Sequence, residues 1–163
     1  MESNAKALFA LMLCALPVAT HAGDADAPLT VESVRVEADR GKEISVFSGD
    51  VRLDKGSIHI EADEARLRAR DGEVQEGTLI GQPVTFRQQP EDAAPITGEA
   101  GRIEYDAVNR VVVLTGGAWI RQGTDEFRGE TIRYDLDASK VLATSSESVD
   151  ERVKIIFQPK EEK

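Results

Sequence analysis

The chain has almost none of the residues on which cross-links and thiol chemistry depend. It holds one cysteine, Cys14, and two histidines in 163 residues. Cys14 follows Leu13, which is too large for a lipoprotein cleavage site, and it lies in an apolar amino-terminal segment. If that segment is removed, the remaining chain can form no disulfide, thiol nucleophile or thiolate metal site.

The first 22 residues have the pattern of a secretory signal peptide. Lys6 precedes the uncharged apolar run Ala7–Val18, and Thr20, His21 and Ala22 place small residues at the two positions that a signal peptidase recognises. The run is short for a membrane span with flanks, although an uncleaved anchor is the alternative. We therefore expect residues 1–22 to be cleaved.

The chain has no surplus of positive charge. Lys and Arg number 20 against 30 Asp and Glu, which gives a formal net charge of −10. Nucleic-acid binding depends on Lys and Arg contacts to phosphate, so we expect no nucleic-acid partner. The negative charge argues less strongly against a lipid ligand, because the apolar part of a lipid needs no positive surface.

The chain beyond the signal has no second long apolar run. No later segment reaches the roughly 18 apolar residues of a membrane-spanning helix. The length remaining suits one domain. We expect residues 23–158 to form that domain and residues 159–163 to be a short charged tail.

No catalytic or metal-binding motif is recognisable. The sequence has no Gly-x-Ser-x-Gly elbow, phosphate loop or EF-hand loop. His59 lies at an outward position of an alternating strand, which favours a solvated histidine over a general base with an oriented partner. Acids recur at matching places in successive repeats, as strand-end residues do. We expect no catalytic residue, metal or cofactor, and an enzyme is the least favoured class.

What the chain does have is a repeated strand–turn–strand unit. Phe47–Leu53 and Leu114–Ile120 each contain an apolar residue, a small hydroxyl residue, a glycine turn and an alternating strand. A second strand follows each and ends in a small residue and an acid, at Ala62-Asp63 and Gly129-Glu130. Such repeats stack hairpins, and they favour a long sheet-lined body over a pocketed enzyme.

Apolar residues recur with period two along nearly the whole chain, and no helical stripe is sustained. Strand formers and closely spaced glycine turns predict an all-β fold of about a dozen strands. These could close a barrel, form a sandwich or stack as an open roll. The repeats are unequal in length, which favours an open, twisted roll of antiparallel hairpins. Its predicted free edges are Leu29–Val31 and Val153–Phe157.

One face of this roll is predicted to be apolar. In the simplest interpretation its residues fill a core, and in a roll left partly open some stay available to a long apolar ligand. For Trp119 we favour packing at an edge or rim over ligand stacking. The alternation assigns these residues to the lining: Val51, Leu53, Ile60, Val84, Phe86, Ile103, Tyr105, Ile120, Phe127, Ile132 and Tyr134.

Several segments stand in a distinctive order and spacing: Pro28–Ser33, Phe47–Val51, Gly56–Asp63, Gly81–Gln88, Tyr105-Asp106, Val112–Ala118 and Gly129–Tyr134. In this order and spacing they resemble the LptA (OstA-like) family of periplasmic lipopolysaccharide transport proteins. The resemblance implies a twisted, V-shaped β-jellyroll of antiparallel strands with open ends, whose interior carries acyl chains. Asp50 and Gly117 stand where the family usually has Asn, and we interpret both as tolerated in a turn.

The resemblance also implies sites and partners. By position, the family's lipid-contacting sites fall on Leu29, Phe86 and Tyr105, each apolar or aromatic here. The expected role is a periplasmic bridge between inner and outer membranes. Its expected partners are an LptC-like inner-membrane protein, the amino-terminal domain of an LptD-like outer-membrane protein, and further copies of the chain. Two alternatives stay open: an LptC-like component of the same system, or a non-transporting β-roll that is structural or binds polysaccharide.

Overall fold

The computed structural model describes residues 24, 27–91, 93–135, 140–145 and 152–156. The predicted signal, residues 1–22, and the predicted tail, residues 159–163, lie outside these ranges. Within them no helix is long and apolar enough to cross a membrane. The described residues form ten strands: β1 (Leu29–Glu32), β2 (Arg35–Asp39), β3 (Ile44–Lys55), β4 (Ile58–Arg70), β5 (Glu73–Gln88), β6 (Ile96–Asp106), β7 (Val111–Gln122), β8 (Asp125–Asp135), β9 (Lys140–Thr144) and β10 (Lys154–Ile156).

All ten strands belong to one antiparallel sheet. Its order is β1-β3-β4-β5-β6-β7-β8-β10, with β2 paired to β3 beside β1, and β9 paired to β8 beside β10. Among the described residues no ladder joins the first edge to the last, so the sheet stays open. The prediction of an all-β, open antiparallel roll is therefore confirmed.

The long strands share an irregularity at nearly the same level. A bulge bends a strand and increases its local twist, so aligned bulges bend a whole sheet along one line, which we name the bend line. The register shifts recur in five successive strand pairs, between Ser48 and Val51, Glu61 and Glu64, Ile80 and Val84, Glu99 and Arg102, and Thr115 and Ala118.

The bend line divides the sheet into two halves. The first half holds β1, β10 and the ends of β3 to β8 that meet at the turn 56–57, at the connection whose described residues are 89–91 and 93–95, and at the turn 123–124. The second half holds β2, β9 and the opposite ends, which meet at the described turns 40–43, 71–72 and 107–110. Each of these described chain reversals therefore lies on an outer rim of one half.

The repeated glycines lie on the bend line. Gly49 has φ +80° and Gly116 has φ +84°, a left-handed backbone that glycine adopts without a steric penalty. Both were predicted to be turns between strands, and that detail is wrong, since each lies inside a continuous strand, β3 or β7. Glycine adopts positive φ both at chain reversals and at β-bulges, and the sequence does not distinguish the two. For this reason the described strands β3 to β8 are longer than predicted.

The core lies between the two halves. Four large side chains are essentially inaccessible, with Val51 and Val84 in the first half and Leu114 and Ile132 in the second, each 0–1 % exposed. They belong to one cluster of buried residues drawn from both halves. The two inner faces therefore pack on each other beside the bend line, where burial of apolar surface stabilises the fold.

Candidate functional site

The predicted lining residues all lie on the inner face. Five of them are buried, namely Val51, Leu53, Val84, Ile103 and Ile132, at 0–6 % exposure. The rest are half-buried: Ile60, Phe86, Tyr105, Ile120, Phe127 and Tyr134. The buried members other than Leu53 lie in the rows beside the bend line, and the half-buried members lie with Leu53 in the next rows outward.

An apolar strip crosses the first half from edge to edge. The strand register places one inner-facing residue of each successive strand side by side, in the order Val31, Leu53, Ile60, Phe86, Gly98, Ile120, Phe127 and Ile155. Neighbouring strands lie about 4.7–4.9 Å apart, so the strip is roughly 33 Å long. It runs perpendicular to the strands and ends at the free edges.

Phe86 lies across the neighbouring strand β6. A Cβ atom built on Gly98 would come within 2.5 Å of Phe86 Cζ and of the Trp119 carbonyl oxygen. Any larger residue at position 98 would therefore displace the ring or the backbone. Glycine here lets the phenyl ring rest against the sheet and keeps the groove above it open.

The three predicted lipid sites lie in different parts of the fold. Phe86 is on the inner face of the first half, and Tyr105 is on the inner face of the second half. Leu29 begins edge strand β1 opposite Lys55 and is 37 % exposed. The structure thus puts all three on the inner side of the sheet, across the groove and at its edge.

Sequence alternation missed part of the inner face. The run Val111–Leu114 is apolar at every position, so period two could not assign its faces. The register assigns Val112 and Leu114 to the inner face, opposite Tyr105 and Ile103. The bulges also make alternation a poor guide to which side chains face inward. At a bulge two residues of one strand lie opposite one residue of its neighbour, so the inward and outward positions exchange beyond it.

Both edges expose apolar side chains. On the first edge Val34 is 82 % and Val36 57 % exposed, and on the last edge Leu142 is 54 % and Ile155 46 % exposed. The predicted edges named only β1 and β10, and the structure adds β2 and β9 as the second-half portions of the same edges. Phe157, at the end of the predicted last edge, lies outside the described residues.

The outer face of the first half is charged. Trp119 Nε1 donates to Glu99 Oε2 at 3.1 Å, and the Arg121 and Arg128 guanidinium carbons lie 5.4 Å and 5.6 Å from the ring centroid. Hydrogen bonds from Arg128 and then Arg121 lower the pKa of Glu126 from its usual value. Trp119 is therefore held in a polar network on the face opposite the groove.

Elsewhere on the outer face, acids are paired with another side chain or are not clustered. His59 pairs with Asp54 through Nδ1, on the outer face. Within the described ranges no group of three or more His, Cys, Asp or Glu residues is arranged to hold a metal ion. The arrangement offers an apolar groove on one side of the sheet and a charged, solvated surface on the other.

This geometry defines a class of protein: an open antiparallel β-jellyroll whose two half-sheets flank an apolar groove with free ends. Residues 30–140 match the model of the family described as LptA/(LptD N-terminal domain) LPS transport protein. The chain belongs to this family.

Named relatives are similar over most of their length. The chain is 29 % identical over 151 residues to lipopolysaccharide export system protein LptA of Escherichia coli K12, which covers 91 % of this chain and 80 % of that protein. It is 28 % identical over 161 residues to lipopolysaccharide export system protein LptH of Pseudomonas aeruginosa, 94 % of this chain and 89 % of LptH.

A solved structure has the same fold. The crystal structure of LptH from Pseudomonas aeruginosa, described as the LptA homologous periplasmic component of the lipopolysaccharide transport device, superposes with a TM-score of 0.74 at 26 % identity. The match covers 84 % of this chain and 99 % of that one. The relatives are thus transport proteins by name.

Gly98→Ala should destabilise the fold because the new methyl group overlaps the Trp119 carbonyl oxygen and Phe86. We expect a loss of about 1–3 kcal/mol in the free energy of unfolding, measured by urea titration. Gly41→Ala is the matched control: its Cβ would meet only Asp39 Oδ1 at 3.4 Å, so a change within about 0.5 kcal/mol is expected. Equal stability of the two variants would contradict the close packing at Gly98.

Proposed function

We propose that this chain binds the acyl chains of lipopolysaccharide in its groove and carries lipopolysaccharide from the inner toward the outer membrane. The observation that supports the proposal most is the apolar strip from Val31 to Ile155, which reaches both free edges of the sheet. A closed cavity would hold a ligand, whereas a groove with free ends can pass one on. The lipopolysaccharide export proteins among its relatives support the same substrate.

The free energy of binding acyl chains in an open groove suits a protein that passes its ligand on. Burying one methylene group contributes about 0.8 kcal/mol, so several fully enclosed acyl chains would dissociate very slowly. A groove open along its rims shields part of each chain, and it lowers this affinity enough for release. Directional movement needs a further source of free energy, which we assign to an inner-membrane ATPase of the same transport system.

We propose a periplasmic location, after cleavage of residues 1–22, and a bridging position between the membranes. Unpaired backbone groups on an edge strand can extend the sheet of a second protein by β-augmentation. The first edge (β1 and β2) and the last edge (β9 and β10) are the surfaces for this contact. Their partners are an LptC-like protein, an LptD-like amino-terminal domain and other copies of the chain, so that the grooves join.

The charges of the two edges are complementary. Glu32, Glu37 and Asp39 outnumber Arg35 on the first edge. The strands of the last edge, β9 and β10, carry Lys140 and Lys154 and no acid. Contact between unlike edges is therefore attractive and contact between like edges repulsive, which favours head-to-tail joining in a single polarity.

A photo-crosslinking residue placed at Phe86 or Tyr105 should capture lipopolysaccharide in the living cell. Both positions face the groove, whereas Arg87 is the next residue after Phe86 and faces outward. Crosslinked adducts are measured by immunoblotting for the protein and for lipopolysaccharide. Capture at Arg87 that equals capture at Phe86 and Tyr105 would contradict the groove assignment and favour a structural module.

Reversing two last-edge charges, Lys140→Glu with Lys154→Glu, should weaken head-to-tail association. We expect the dissociation constant to rise roughly five- to tenfold at low salt, less at high salt, because exposed ion pairs are weak and screened. Sedimentation equilibrium measures the change. Arg66→Glu, on the outer face of β4, is a control for charge alone.

Reversal of the first edge provides the complementary test. Adding Glu32→Lys and Glu37→Lys to the last-edge variant should restore association toward the wild-type value. The same dissociation constant for wild type and last-edge variant, or an equal loss in the Arg66 control, would contradict the proposed polarity.

A further inference from the structure

Two tyrosines stand in one row on the inner face of the second half. Tyr105 of β6 lies opposite Val112 of β7, and Val112 lies opposite Tyr134 of β8. The two tyrosines are thus two strands apart, roughly 10 Å. Both side chains are half-buried.

This row lies at the boundary of the apolar lining. The adjacent inner row toward the bend line contains Ile103, Leu114 and Ile132, which are 5 %, 1 % and 0 % exposed. On the other side Tyr105 is followed within two residues by the turn at 107–110. The phenyl rings therefore continue the lining at the point where it meets the open rim of the groove.

The hydroxyl groups of both tyrosines are without a hydrogen-bond partner among the residues that the structure describes. Neither Tyr105 nor Tyr134 makes a side-chain hydrogen bond to another described residue, whereas the Trp119 indole on the outer face donates to Glu99. A tyrosine ring that packs while its hydroxyl stays unpaired is suited to a boundary between an apolar and a polar phase.

The first half lacks this feature. Its strip has phenylalanines, Phe86 and Phe127, where the second half has tyrosines. The polar groups nearest to that strip are on the next inner positions toward the rim, such as Gln88, whose amide donates to Asp24 at 2.8 Å. The unpaired hydroxyls are therefore a property of one wall of the groove.

From this asymmetry we infer that Tyr105 and Tyr134 hydrogen-bond the linkage region of the lipid, the ester and amide groups that join acyl chains to sugar. The inference rests on the proposed function, because it assumes an acylated saccharide in the groove. The carbonyl and hydroxyl groups of that region lie where hydrocarbon ends, and the tyrosine row lies next to the turn at 107–110, where β6 ends. The two tyrosines thus set the depth to which the chains enter.

The double variant Tyr105→Phe with Tyr134→Phe removes both hydroxyls and keeps both rings. Purified lipopolysaccharide should bind it roughly fivefold or more weakly, since each lost hydrogen bond is worth a factor of about two to ten. A pyrene-labelled alkane, which has no carbonyl or hydroxyl group, should bind with an affinity within about twofold of wild type. Each single variant should show an intermediate loss for lipopolysaccharide.

Thr85→Val is the matched control, because it removes a hydroxyl from the outer face without a change of shape. Unchanged lipopolysaccharide affinity in the double variant overturns the inference while the proposed function stands. Equal losses for lipopolysaccharide and alkane also overturn it, since they show that the rings act by packing alone. If wild type binds alkane and not lipopolysaccharide, the proposed function and the inference fail together.

Discussion

The bulges aligned along the bend line are the constraint on which the rest of the structure depends. Every pair of long strands from β3 to β8 shifts register at this level, and the β4–β5 pair shifts a second time near its end, between Arg68 and Ala69. A flat sheet of the same sequence would expose its apolar face to water. The bend brings the two inner faces together, so that Val51 and Ile132 are buried while the sheet keeps two free edges.

With the exceptions of Leu53 and Leu67, which are buried in the outer rows, the distance of a residue from the bend line separates core residues from groove residues. Beside the line, small and aliphatic residues such as Ala62 and Ala65 pack at 7 % and 0 % exposure and hold the halves together. Farther from it the halves diverge, and larger residues such as Phe86 and Tyr134 are only partly covered. Stability and the capacity to accept a ligand are therefore separated along each strand. The proposed transport function uses the outer part and leaves the inner part as core.

Much of the fold follows from the sequence, since period two marks the strands and unequal repeats indicate an open roll. The inner face was predicted correctly at Ile103 and Tyr105, where alternation is unbroken between charged neighbours. It was ambiguous at Val112, where apolar residues adjoin on both sides. The interpretation of Gly49 as a turn was wrong because positive φ serves turns and bulges equally. Whether the tyrosine hydroxyls find a partner among the described residues depends on side chains from three strands. No local sequence pattern predicts this.

Depletion of the protein from its native host tests the central claim most directly. Newly made lipopolysaccharide would be pulse-labelled, and the label in separated inner and outer membranes would be measured as the protein disappears. The account predicts that new lipopolysaccharide accumulates at the inner membrane while other envelope components still reach the outer membrane. Normal delivery of labelled lipopolysaccharide to the outer membrane would contradict it.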